Sequence, residues 1–523
     1  MSWRVSVRVA VQRSRVTAAK VLLAAAVCGV MGVSVVAAVR GAELAAPAPV
    51  RDSGMAAAER DRITGEFLVE FKALRFEKAE ELVRRLIGLD EWDPVARYNL
   101  AACLAGQAKI EQAEVALREA VERGFVDFDL MQRDRNLAPM RGTQTFRALL
   151  SKWGEVQERI IEQKIARLKP TLARGGRDYT IEKDGASRLA FLNAFPEASY
   201  RAGLKEIRGV ERFWKEQVLP EGTALVNLDV ARPDPWVLVL LPTPEDYRDW
   251  AMERFGTLLV AGIYDHQAKK LVTKDLGPIL RHEFSHVVHW RSMMRSGYVQ
   301  PIWVHEGLCS LLEDVKVEAD GSWTPRASWR TNMLKRMSQS GRLPKWEELH
   351  ALSAEKFGSS RGLANYATAR GIILFMYEQG KLRAWYGEYL KGGEADPHGV
   401  KAMEAAFELP VKEIERKWRA WVNALPEAPD ASRGSEVSLP VTLDEAGDGL
   451  RITEVPAGFG KLDGLRLGDV LTSIDGVPVR DYSEFAQAMS GRKAGEIVKV
   501  AFRRGAGGRV TGQASVTLVK AER

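Results

Sequence analysis

Apolar and polar positions divide the chain into stretches of different period. Residues 21–39, VLLAAAVCGVMGVSVVAAV, are an uncharged apolar run. Residues 44–60 are broken by alanine, proline and glycine and read as a linker, and the pattern that follows, to about residue 169, is helical. Gly175-Gly176 marks a boundary. Trp236–Leu241 is a continuous apolar run bounded by prolines, which predicts a buried strand. Pro244-Glu245-Asp246 then starts a helix carrying Tyr247, Trp250 and Phe255, and Val260 to Val272 reads as a strand pair around Gly262 and Asp265. Leu280, Phe284, Val287 and Val288 supply the apolar packing of one helix, and residues 301–313 form a second, more apolar one. A helix through Leu374, Phe375 and Tyr377 follows, and residues 401–425, with Phe407, Ile414, Trp418 and Trp421, close this region. Pro426 to Pro440 is a second linker, and beyond it Gly449–Val455 begins a small β-rich unit.

The helical region contains a repeat. Phe76-Glu77-Lys78-Ala79-Glu80-Glu81-Leu82-Val83-Arg84 aligns with Ile110-Glu111-Gln112-Ala113-Glu114-Val115-Ala116-Leu117-Arg118 at an offset of 34 residues. Ala79 and Ala113 let paired helices approach closely, and Asp93-Pro94 starts the helix between them. The pattern resembles tetratricopeptide repeats. That resemblance implies a stack that binds a peptide or partner; the alternative, a packing module alone, stays open for so short an array.

Charge changes the picture little. Of the net +7, residues 1–50 carry six bases and one acid, which leaves 70 bases against 68 acids elsewhere. The basic pI is therefore no sign of nucleic-acid binding. Arg4, Arg8, Arg13, Arg15 and Lys20 precede the apolar run, the layout of an export signal. The run is long enough for one span, so a cleaved signal and an N-terminal membrane anchor are both open, with a periplasmic or cell-envelope location expected in either case. Cys103 and Cys309 lie in separate predicted domains, which argues against a disulfide framework.

The candidate chemistry sits in His282-Glu283-Phe284-Ser285-His286, an H-E-x-x-H. Residues four apart share a helix face, so His282 and His286 can aim at one metal ion, with Glu283 placed to accept a proton from water. Four of the seven histidines fall between residues 282 and 305. A catalytic zinc takes three protein ligands and keeps one position open. Candidates for the third are Glu306, His305 and His289. His289 lies ~10 Å along the helix from His282, too far for both to reach one ion. His305 and Glu306 are neighbours about 100° apart on their helix, so only one of them can serve. Residues 281–313 resemble the gluzincin metallopeptidases, whose pattern is H-E-x-x-H on one helix and W-x-x-E-G on the next. Here Trp303, Glu306 and Gly307 match the second motif. The resemblance implies Zn2+ held by His282, His286 and Glu306, with Glu283 as general base. It also implies an oxyanion role for Tyr366, sixty residues after Glu306, and places Ser310 where some relatives carry an acid that orients a zinc histidine.

Residues 441–520 resemble a bacterial PDZ domain, through Gly464-Leu465-Arg466-Leu467-Gly468-Asp469-Val470-Leu471 and the turn Asp475-Gly476. That implies a groove along the helix Tyr482–Ser490 for an extended or C-terminal peptide. Glu445-Ala446-Gly447-Asp448 brings acids to the expected carboxylate loop. The expected fold is multidomain: a signal or anchor at 1–43, α-helical repeats at 56–169, an α+β zincin-like metallopeptidase domain at 178–425 and a β-rich PDZ domain at 441–520. The linkers predict that 178–425 folds apart from the PDZ domain. The expected function is zinc-dependent hydrolysis of protein or peptide substrates in an exported compartment; a catalytically dead, peptide-binding scaffold is the alternative.

Overall fold

A computed structural model describes residues 54–521, except residue 126 and segments 174–176, 222–234, 256–261, 267–268, 297–299, 359–360, 430–436, 456–463 and 506–509. The N-terminal region is helical: α1 (Gly54–Lys72), α2 (Phe76–Leu89), α3 (Pro94–Gly106), α4 (Ile110–Glu122), α5 (Phe128–Arg133), α6 (Gln144–Ser151) and α7 (Trp153–Ala173). Asp93 caps α3 by accepting from the amides of Val95 and Ala96, with Pro94 at the first helical position. Ala79 and Ala113, the small residues of the repeat, are fully buried in the shared core of α1–α6.

The central region holds a five-stranded sheet: β1 (Thr180–Asp184), β2 (Leu189–Asn193), β3 (Trp236–Leu240), β4 (Gly262–Asp265) and β5 (Lys270–Thr273), in the order β1-β2-β3-β5-β4. The central pairs β2–β3 and β3–β5 are parallel, and β1 and β4 run antiparallel at the edges. The continuous apolar run of β3 follows from burial on both faces. Trp236, Leu238 and Leu240 face the main core, while Val237 and Val239 face Ile161 and Ile165 of α7. The last helix of the N-terminal region thus covers the outer face of the sheet.

On the inner face lie α8 (Glu197–Phe213) and α10 (Pro278–Ser296), with α9 (Pro244–Phe255) between β3 and β4 in sequence. Then come α11 (Ile302–Leu311), a hairpin of β6 (Val315–Val317) and β7 (Trp323–Pro325), and seven helices. These are α12 (Trp329–Gln339), α13 (Trp346–His350), α14 (Ala354–Phe357), α15 (Gly362–Glu378), α16 (Leu382–Gly392), α17 (Val400–Phe407) and α18 (Val411–Ala424). Leu280, Phe284 and Val287 of α10 are fully buried. Each such side chain contributes about 1.5–3 kcal/mol, which is how an apolar stripe fixes the helix's rotation.

The C-terminal unit has β8 (Val437–Ser438), β9 (Thr442–Glu445), β10 (Leu450–Glu454), β11 (Val470–Ile474), β12 (Val477–Pro478), α19 (Tyr482–Met489), β13 (Ile497–Arg504), β14 (Val510–Thr517) and β15 (Val519–Lys520). Its sheet runs β14-β13-β11-β10-β9, with β9 at the edge. The C-terminal unit and the segment leading to it also contact the central region. Ala428, in that linker, is bound through its amide and carbonyl to the side chain of Asn332. The hairpin tip Ala446–Asp448 is buried in the central region, where the Leu276 amide donates to the Gly447 carbonyl at 3.1 Å.

The expectation of membrane anchorage, and of an inner-membrane location, is withdrawn. No helix among the described residues is long and apolar enough to cross a membrane, because the long helices α1, α7 and α10 each carry several charges. The apolar run 21–39 itself lies outside the described residues.

One packing detail bears directly on the second motif. A Cβ on Gly307 would sit 2.8 Å from Ile373 Cγ1 and 2.9 Å from the Ala369 carbonyl of α15. Only glycine lets α11 come this close. Gly307→Ala should lower the unfolding free energy by about 1–3 kcal/mol, as overpacking does, measured by urea denaturation.

Candidate active site

α10 and α11 cross on the inner side of the sheet and bring three side chains together. His282 Nε2 and His286 Nε2 are 3.2 Å apart. Glu306 Oε2 lies 3.3 Å from the first and 3.7 Å from the second. Ligands about 2.0–2.2 Å from a tetrahedral zinc are separated by about 3.3–3.6 Å, so these spacings are close to the edges of such a tetrahedron. Among the described residues this is the one group of three or more metal-ligating side chains within reach of a common ion. Glu306 Oε2 is buried and accepts no hydrogen bond. Two imidazole nitrogens facing each other beside a carboxylate oxygen converge on one point as the donor set of a cation. The residues therefore fit zinc.

The histidines are held through their other nitrogens. His282 Nδ1 lies 2.9 Å from Glu313 Oε1, and Glu313 is itself gripped by Arg330 through two bonds of 2.6 and 2.8 Å. A proton on Nδ1 given to Glu313 leaves the Nε2 lone pair for the metal. His286 Nδ1 contacts Cys309 Sγ at 3.2 Å, and Tyr264 stacks on the His286 ring at 5.0 Å. Glu313 and Arg330 were not legible as site residues. The orienting acid falls at 313, beyond the end of α11, and not at position 310; Ser310 is buried at the helix end.

Glu283 is buried beside this cluster. A Cβ on Gly262 would lie 2.6 Å from Glu283 Cγ and 2.7 Å from its Oε1, so the edge strand β4 presses directly on this carboxylate. Burial raises the Glu283 pKa above its ordinary value, against the opposing pull of His282 and His286. Burial acts the same way on Glu306, but His286 and His282 outweigh it and hold the carboxyl below the usual range.

The rival ligands point elsewhere. His289 Nε2 lies 2.7 Å from Gln300 Oε1, and its ring packs on His305 at 4.6 Å. Burial lowers the His305 pKa to about 3, so this ring is a neutral packing element. His266, just after β4, packs on Trp290 at 4.2 Å. Tyr366 lies on α15 against Phe357, with the Arg330 guanidinium 5.5 Å from its ring centre. It adjoins the residues that orient His282, and it is not one of the clustered ligands.

Comparison with known proteins adds one firm assignment: a PDZ domain family matches residues 453–504. No curated protein matches the chain. Fifteen solved chains match. One is a crystal structure of an aminopeptidase N family protein from Idiomarina loihiensis, 12% identical, with 66% of this chain and 68% of that one covered and a TM-score of 0.26. A likeness that low carries no argument, and the site's own geometry stands on its own. Two histidines and a glutamate on crossing helices, with a buried glutamate next to the first ligand, make the active centre of a zinc metallopeptidase.

Proton exchange offers a test of the site. Burial disfavours a charged His282, but Glu306 and Glu313 outweigh it and raise its pKa to about 10. The metal-free site therefore keeps this proton near neutral pH, and a ligand must give it up. Zinc added to metal-free protein in weak buffer near neutral pH should release about one proton from this histidine per ion bound, read with an indicator dye. Zinc uptake without proton release would contradict the assignment.

Proposed function

We propose that the chain hydrolyses peptide bonds in protein or peptide substrates, with His282, His286 and Glu306 as zinc ligands and Glu283 as general base. The observation that carries this is the tetrahedral spacing of Glu306 Oε2 and the two Nε2 atoms beside a buried Glu283. Zinc, when bound, supplies Lewis acidity toward the scissile carbonyl and lowers the pKa of water. Glu283 takes the proton from the attacking water and passes it to the leaving amine; a raised carboxyl pKa suits a group that must hold that proton between steps. Among the described residues β4 pairs on one side only, with β5. An extended substrate can add to its other side through main-chain hydrogen bonds, which brings the peptide past Glu283. Tyr366 is assigned the oxyanion role, with Arg330 against its ring.

The N-terminal helices are read as tetratricopeptide-like, with α2 and α4 as equivalent helices of successive repeats. Together with the PDZ domain they give the chain two surfaces for a polypeptide besides the catalytic cleft.

Three variants test the roles. Glu283→Gln should keep zinc and lose about 10²–10⁴-fold in kcat/KM on an unstructured peptide; wild-type turnover would remove Glu283 from the chemistry. Glu306→Ala should strip zinc from the purified protein, because only two histidines remain, while His305→Ala should retain it. Metal analysis checks both, and the reverse ranking would move the third ligand to His305.

A further inference from the structure

The PDZ domain meets the zinc helix at Arg281. Arg281, directly before His282, is buried, and its guanidinium has two tasks. Nε donates to the Leu312 carbonyl at 2.7 Å and Nη2 to the Glu313 carbonyl at 2.6 Å. It thereby ties the end of α11 to α10, and sets the backbone of the residue that orients His282. On its other side Arg281 is balanced by charge. Glu206 of α8 lies 2.8 Å from Nη1, and Glu484 of the PDZ helix α19 lies 3.4 Å from Nη2. Arg480 closes the ring, 2.7 Å from both Glu206 and Glu484. Two arginines and two glutamates therefore alternate in a net-neutral ring, with Arg281 buried and the other three half-buried, and half of it belongs to the PDZ domain.

We propose that the PDZ domain is part of the metal centre, and that Glu484 is a positioning residue that acts on His282 through Arg281 and the carbonyl of Glu313. The inference rests on the zinc reading above. Removing one charge from such a ring leaves the opposite charge, here the buried Arg281, short of a partner, whereas removing a pair of opposite charges does not. Without Glu484, Arg281 and Arg480 compete for Glu206. Arg281 then shifts toward Glu206 and slackens its hold on the 312–313 carbonyls. With Arg480 also neutral, the pair Arg281–Glu206 is balanced again.

The test is zinc affinity of the full chain, read by competition with a chromogenic chelator, alongside thermal unfolding of the metal-free protein. Glu484→Gln should weaken zinc binding by about 10–100-fold, the usual effect of losing a group that supports a ligand. The double variant Arg480→Met/Glu484→Gln should bind within about threefold of wild type, since charge balance is restored. If Glu484→Gln does not fold, Glu484→Asp takes its place; it keeps the charge, shortens the reach and should show a smaller loss in the same direction. A merely structural Glu484 would lower the melting temperature and leave zinc affinity unchanged, and that result overturns the proposal. So does a double variant as weak as the single one. A wild-type chain that binds no zinc would overturn the peptidase reading as well, and equal affinities in wild type and variant overturn only the link to the PDZ domain.

Discussion

A helix that ends inside a protein leaves carbonyls without partners, and the end of α11 is where this fold meets that constraint. The helix that carries Glu306 stops at Leu311 in a buried setting. An unmet carbonyl there costs about 1–3 kcal/mol. Two buried arginines answer it: Arg370 of α15 donates to the Ser310 carbonyl at 2.8 Å, and Arg281 of α10 takes those of Leu312 and Glu313. Each guanidinium needs a counter-charge in its turn. Asp314 lies 4.0 Å from Arg370, and Glu206 and Glu484 flank Arg281. Satisfying one helix end thus recruits α8, α10, α15 and the PDZ domain, and it is the same helix end from which Glu313 reaches His282.

That arrangement separates three glutamates, Glu283 and Glu306 buried and Glu313 half-buried, by their surroundings. Glu306 faces two imidazoles and is held ionised. Glu313 faces Arg330 and His282, which outweigh its burial and hold it ionised too. Glu283 has the same burial with weaker compensation, and its pKa rises. Ligand and orienting acid must stay anionic, and a base must be able to accept a proton. Identical side chains take different parts because cations are distributed unevenly around them.

Much of this was legible because it is local. H-E-x-x-H is a statement about one turn of helix, and α10 and α11 form where their apolar stripes place them. The strand pair around Gly262 and Asp265, the double-faced burial of Trp236–Leu240 and the Asp93 cap follow from period and turn chemistry. What escaped depends on groups far apart in sequence. Glu313 orients His282 across 31 residues, and Glu484 reaches Arg281 across 203. No spacing rule joins such positions. The acids of 445–448 were read as an altered carboxylate loop because they precede a strand. In the fold Asp448 lies in the buried tip between β9 and β10, bound to Arg503 and Ser199, and Glu445 ends β9 half-exposed, 3.4 Å from Lys274.

Gly447 shows why that tip belongs to the interface. It has φ of 75°, and a Cβ there would lie 2.9 Å from the Pro242 carbonyl and 3.0 Å from that of Lys274. A side chain would have to displace backbone, so the hairpin and the central region fit only with glycine at this point. The strand leading into the tip is β9, the edge of the PDZ sheet. Tyr482 Oη, at the start of α19, donates to the Leu443 carbonyl of β9 at 2.6 Å, so edge strand and helix stand side by side. Both are anchored: β9 by the hairpin tip, α19 by Glu484 in the ring around Arg281. A flexible tether would set the local concentration of a bound peptide by its length. Here Lys335 Nζ holds the Leu425 carbonyl and Asn332 holds Ala428, so the segment leaving α18 is fastened from its start. The edge strand and helix of the PDZ domain are thereby held at a fixed distance from the zinc helix, by the same contacts that position that helix.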